Sequence, residues 1–278
     1  MNAVITLAEF IGGLISGSLA LLSDAGHNLS DTLALILGFA GEKAASSRPS
    51  VRFSFGLRRL EVIVALVNAV SLLAISIYIA VRAVQRLINP EPIFAPLMLA
   101  VALVGLTGNF ASIVLLHRFR QQNLNLRAVF LHLFLDTLSS VSVVAAGVLL
   151  LFYDNFWWLD PIVSLFIVAL VGVSSVGVLV ESMRIILQAA PSSIDPRQVA
   201  RALRELDGVE SLHGLHIWAV NSTETFLSCH VCARPEVEHD RLIQNINRML
   251  AERFGIEHSA VQIETTDFCN RQEEKCCR

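Results

Sequence analysis

Two histidine–aspartate pairs stand four residues apart in stretches that are otherwise apolar. They are His27 with Asp31, in LALLSDAGHNLSD, and His132 with Asp136, in LHLFLD. On a helix an i, i+4 pair lies on one face, one turn apart. A charge at the centre of a membrane helix costs ~2.5–3.5 kcal/mol on insertion scales, so such residues are usually paired or functional. Two imidazoles and two carboxylates supply the four donors that tetrahedral zinc takes, at about 2.0–2.2 Å. Cobalt, cadmium or ferrous iron fits the same set, whereas magnesium and calcium prefer all-oxygen sites. Two readings compete with a metal site. Each pair could be a structural hydrogen bond, or the four residues could relay protons, because histidine titrates near neutrality and metal and proton compete for it. The recurrence of the spacing in two spans almost free of other charge favours one joint metal site.

The elements that carry these residues must be membrane helices. Of 278 residues 54% are hydrophobic and only 16% charged, against roughly 25% charged in an ordinary soluble domain, and the mean hydropathy is +0.61. Runs of about 20 apolar residues give six candidate spans, at roughly 2–20, 23–41, 60–86, 93–116, 128–152 and 158–183. The start of the chain has no basic residue before its apolar stretch, which reads as a span and not as a cleaved leader. Lys43, Arg48, Arg52, Arg58 and Arg59 crowd the connection at 41–59, and Arg118, Arg120 and Arg127 that at 117–127. The excess of basic residues places both connections in the cytoplasm, with both termini. Arg82 and Arg86, near the outer end of the third span, run against this rule.

Residues 190–278 have another character, with 10 basic and 14 acidic side chains. Asp195-Pro196 opens a short helix over 196–206, since proline suits the first helical position. Alternation gives strands at 209–220, 225–233 and 260–264, with an amphipathic helix at 237–253, in the order αββαβ. The expected division is therefore a transmembrane domain over 1–189, a cytoplasmic α+β domain over 190–270 and a flexible tail over 271–278. All five cysteines lie in this second part, an odd number that suggests reduced thiols. No basic patch suggests a nucleic-acid partner.

The ordered motifs SGSLALLSDAGHNLSD, FSFGLRRLEVIVALVNAV, LNLRAVFLHLFLDTLSSVSVV and LHGLHIWAV resemble the cation diffusion facilitator family of zinc/proton antiporters, from about residue 9 to about 265. The resemblance implies a homodimer, six spans per protomer and a ferredoxin-like, metallochaperone-like cytoplasmic domain. It implies a transport site of His27, Asp31, His132 and Asp136, of the kind found in zinc-selective members. By motif, His213, His230 and Glu264 occupy positions that look like ligands for further zinc in the cytoplasmic domain, with His239 as a bridging ligand. Gln262 stands where some relatives have another histidine, and Cys276 and Cys277 resemble tail cysteines that complete a site in some relatives. Lys43 or a neighbouring arginine is expected to pair with an acid such as Glu181, as charge pairs do in relatives.

These readings lead to efflux of divalent cations, zinc first, in exchange for protons, with the bacterial inner membrane as the expected location. Cadmium, cobalt, iron or manganese as the preferred metal is the alternative, as is a metal-gated channel or sensor. An enzyme is not expected: no P-loop or HExxH motif is present, and four protein ligands leave no open position for an activated water. Asp24 reads as a first-turn or capping acid of the second helix or as a cation-attracting group, with Ser23 as a competing cap. Glu9, Asn68 and Asn109 read as interhelical hydrogen-bonding groups or as the lining of a polar path.

Overall fold

The structure, a computed structural model, describes residues 2–45, 50–117 and 124–265; the side chains of Asp31, Lys43 and His132 are outside those described, as are Asp267, Cys269, Cys276, Cys277 and the whole of the expected tail. The described chain divides into two compact units, Met1–Phe39 with Val67–Leu179, and Ala40–Leu66 with Val180–Arg278.

The helices are α1 (Asn2–Ser16), α2 (Leu19–Ala45), α3 (Leu60–Ile88), α4 (Ala95–His117), α5 (Leu124–Phe152) and α6 (Leu159–Ile186), with one turn of 3₁₀ helix at Asp154–Phe156. Among the described residues, four stretches are long and apolar enough to cross a membrane: Leu60–Ile88, Ala95–Leu115, Leu133–Phe152 and Leu159–Ile186. The apolar helix Ala3–Ser16 is shorter. In the first unit the core joins Ala20 and Leu21 of α2, Met98 and Ala102 of α4, Val143 and Ala146 of α5, and Ile167 and Val171 of α6.

The break between α1 and α2 falls earlier than the hydropathy suggests. Gly17 turns the chain with φ of +71°, a conformation that costs an L side chain energy but not glycine. Ser18 then caps α2, its Oγ accepting from Leu21 N at 3.1 Å. The remaining amide groups are capped from another helix. The Asp160 carboxylate of α6 accepts from Leu19 N at 2.9 Å, Ala20 N at 3.1 Å and Ser18 Oγ at 2.5 Å. A carboxylate suits the positive end of a helix dipole, and in lipid each unsatisfied amide would cost several kcal/mol. Arg86 of α3 completes the knot: it donates to the Gly17 carbonyl, pairs with Glu91 at 2.8 Å and approaches Asp160 at 3.8 Å. Arg82 also pairs with Glu91, at 3.2 Å. The two arginines that break the charge rule are thus partnered at the outer end of α3.

The second unit holds α7 (Pro196–Arg204), β1 (Val209–Ala219), β2 (Thr225–Ala233), α8 (His239–Phe254) and β3 (His258–Thr265), the expected αββαβ order. The sheet runs β1-β2-β3, with β1 antiparallel and β3 parallel to β2. Asp195 caps α7, accepting from Arg197 N at 2.9 Å, and Gly255 ends α8 in the left-handed region, φ +65°. Val199 and Leu203 of α7, Leu242, Ile246 and Leu250 of α8, and Leu227, Cys229 and Val231 of β2 form one core. Burial pushes the Cys229 thiol up to about 11, so it stays protonated at neutral pH and acts as an apolar side chain. Cys232 is disulfide-bonded, against the expectation of reduced thiols throughout.

Arg58, in the connection before α3, pairs with Glu224 of the β1–β2 turn at 2.5 Å. This is a different acid from the Glu181 expected from sequence. Asp160→Ala should destabilise the purified full-length chain by about 1–3 kcal/mol for each donor it strands, the Leu19 and Ala20 amides and the Ser18 hydroxyl, while Arg86 keeps Glu91 and the Gly17 carbonyl. Thermal unfolding in detergent measures the effect, and an unchanged midpoint would show that the knot does not hold α2.

Candidate metal centres

Two of the four expected transport ligands meet directly. His27 Nε2 of α2 lies 2.9 Å from Asp136 Oδ1 of α5, and their side chains are 16% and 7% exposed. The contact joins the two HxxxD pairs across helices. Asp31 and His132 lie one turn along α2 and α5 from this contact.

Asp24 is not a helix cap, since α2 begins at Leu19. It is buried and accepts from Ser139 Oγ at 2.8 Å and Ser140 Oγ at 3.0 Å, both on α5. Asn109 of α4 donates to Ser140 Oγ at 3.0 Å, so a hydrogen-bonded chain runs α4, α5, α2. Ser23, the competing cap, bonds back to the Leu19 carbonyl at 2.8 Å. Asn68 of α3 donates to Ser30 Oγ at 2.9 Å, and Asn28 donates to Glu9 Oε2 of α1 at 2.8 Å. The asparagines therefore serve as interhelical donors. Glu9 is 1% exposed, and its Oε1 has no hydrogen-bond partner among the described residues. It fits there because Gly105 faces it: a Cβ at that position would lie 1.9 Å from Oε1.

The strands of the second unit place another donor cluster. Register pairs His213 with His230 and Cys232 with Glu264. The Glu264 carboxylate lies 2.6 Å from His230 Nδ1 and 3.4 Å from His213 Nε2. The two imidazoles stack with centroids 5.0 Å apart, and Gln262 donates to Glu264 Oε1 at 2.9 Å. Donor atoms of His213, Cys232 and Glu264 all lie within 4.8 Å of one another, close enough for one small cation. A cation could take Cys232 only as a thiolate, after reduction of its disulfide. Cys232 escaped the sequence analysis as a donor. Cys232 lies two residues from His230 on β2, but only the parallel pairing with β3 brings it to Glu264. His239 opens α8 and is exposed, outside this cluster; His216 and His258 are also exposed.

Two family models match along the chain. The family model described as the cation efflux transmembrane domain matches residues 1–187, and that of the cation efflux protein cytoplasmic domain matches 191–266. The chain is 35% identical to the zinc transporter ZitB of Pectobacterium atrosepticum over 280 residues, covering 99% of this chain and 87% of that protein. It is 34% identical to a cadmium, cobalt and zinc/H(+)-K(+) antiporter of Bacillus velezensis, with 96% and 89% covered. Among solved structures, the metal-bound C-terminal domain of the CzcD transporter from Cuprividus metallidurans matches at 33% identity and a TM-score of 0.25, covering 26% of this chain and 99% of that one. The chain is a multi-pass membrane protein with a cytoplasmic domain, and it belongs to the cation efflux family, the cation diffusion facilitators.

Proposed function

We propose that this protein exports zinc from the cytoplasm in exchange for protons, by alternating access around His27, Asp31, His132 and Asp136. The observation that carries the reading is the direct contact of His27 with Asp136, which joins two predominantly apolar helices through the two HxxxD motifs. The names of the relatives, zinc transporters and zinc/H⁺ antiporters, agree with it.

The chemistry follows from the donors. Imidazole and carboxylate bind a cation only when deprotonated, so the site carries metal or protons but not both. A cation entering from the cytoplasm displaces the proton shared by His27 and Asp136. On the other side, a more acidic medium returns protons and the metal leaves. Direction comes from the difference in affinity between the two states. Six spans, both termini in the cytoplasm, a homodimer, a ferredoxin-like cytoplasmic domain and a bacterial inner-membrane location belong to this reading. The residue boundaries do too: 1–189 for transport, 190–270 for the cytoplasmic domain and 271–278 for the tail. In the cytoplasmic domain His213, His230 and Glu264 hold regulatory zinc, with Cys232 as a further donor and His239 bridging from the start of α8. Such binding neutralises Glu264 and biases the transport unit, a coupling of about 1–3 kcal/mol.

Three outcomes test this. Asp31→Ala or Asp136→Ala should abolish zinc uptake into proteoliposomes driven by a pH gradient, while the protein still inserts and dimerises; normal uptake by either removes the site. Wild-type flux at channel rates without a pH gradient would instead indicate a channel. Replacing His27 or His132 by Asp makes the site richer in oxygen, and should raise cadmium, manganese or iron relative to zinc in competition assays. An identical metal ranking in both variants would place selectivity elsewhere. The triple change His213→Ala, His230→Ala and Glu264→Ala should lower zinc bound per chain and reduce transport at low zinc without eliminating it. Unchanged zinc stoichiometry by calorimetry would exclude these ligands.

A further inference from the structure

A cavity of about 500 Å³ lies between the connection that enters α3 and the end of β1. Its walls include Arg52, Arg58, Arg59, Phe53, Phe55 and Trp218. The walls are fixed: Phe55 packs edge-on against Phe226 of β2 with centroids 5.5 Å apart, Arg58 pairs with Glu224, and Ser222 Oγ donates to Glu61 at 2.7 Å. Arg52 and Arg59, in contrast, have no acidic partner among the described residues. Phe53 and Phe55 remain more than half exposed. The same connection runs without a break into the apolar span Leu60–Ile88.

We propose that this cavity binds the headgroup and upper chains of an anionic phospholipid from the cytoplasmic leaflet. Two unpaired guanidinium groups suit a phosphodiester, which they can grip in a planar, bidentate manner. Basic residues beside a span are drawn to anionic lipid. The apolar walls decide between sources of the anion. A free phosphate has no use for Phe53, Phe55 and Trp218, whereas the glycerol and first methylenes of a lipid cover them. A second copy presenting the same patch about a two-fold axis would set arginine against arginine. The lipid would tie the connection before α3 to the cytoplasmic sheet, because Trp218 belongs to β1.

The test uses the full-length protein in neutral detergent, with phosphatidylglycerol or phosphatidylcholine added and bound lipid counted by native mass spectrometry. The wild type should hold phosphatidylglycerol over phosphatidylcholine by roughly thirtyfold, the scale of two arginines at an anionic headgroup. Arg52→Gln with Arg59→Gln should lose the preference, and Arg52→Lys with Arg59→Lys should keep most of it. Arg82→Gln, at the other end of α3, should leave it unchanged. An undiminished preference in the double Gln variant overturns the proposal. Displacement of the lipid by millimolar inorganic phosphate makes this a free-anion site and also overturns it. So does a double Gln variant that turns monomeric regardless of lipid, which would make the cavity an interface between copies.

Discussion

The Asp160 carboxylate decides where α2 begins, and through that where every polar group on α2 points. A helix advances about 100° per residue, so a start shifted by one position would turn the whole polar stripe away from α5. Asp160 prevents this by holding Leu19 N and Ala20 N from α6, while Arg86 holds the turn before them. From that anchor the stripe runs on at helical intervals. Asp24 meets Ser139 and Ser140, and His27 meets Asp136. Residue numbers rise along α2 as they fall along α5 in these contacts, so the two helices are antiparallel.

Each link obeys the same constraint. In hydrocarbon a polar group without a partner costs far more than a hydrogen bond returns in water. Several polar side chains of this unit are accordingly joined between helices, Asn68 to Ser30, Asn109 to Ser140 and Asn28 to Glu9, while hydroxyls such as that of Ser23 bond back to their own helix. The cytoplasmic unit follows other rules. There an amphipathic helix and alternating strands bury Leu227, Val231, Ile246 and Leu250 in a common core, and the polar cluster of His213, His230 and Glu264 sits on the opposite side of β2.

This difference explains how much could be read from residue order. The αββαβ pattern was legible because local periodicity governs a water-soluble sheet and its helices. The HxxxD pairs were legible because two acids and two imidazoles in apolar spans are chemically conspicuous. The start of α2 was not, since its cap lies more than 140 residues away on α6. Asp24 was visible as an oddity, but its serine partners look like ordinary small residues of α5. The contact of His27 with Asp136 crosses the two motifs, whereas sequence spacing pairs each histidine with its own aspartate. Cys232 needed the parallel register with β3, which no turn or alternation announces.

The clasp of Asp24 by Ser139 and Ser140 has a consequence for the transport cycle. A carrier must make two journeys, one loaded and one with its metal seat vacant. If only the cargo joined α2 to α5, the vacant seat would spread and the next ion would have to rebuild it, slowing capture at scarce metal. Here the fastening is made by an acid and two hydroxyls that are not part of the seat. On the proposed cycle, the spacing of the helices would thereby be kept through the return leg, and arriving metal would meet a cradle already gathered.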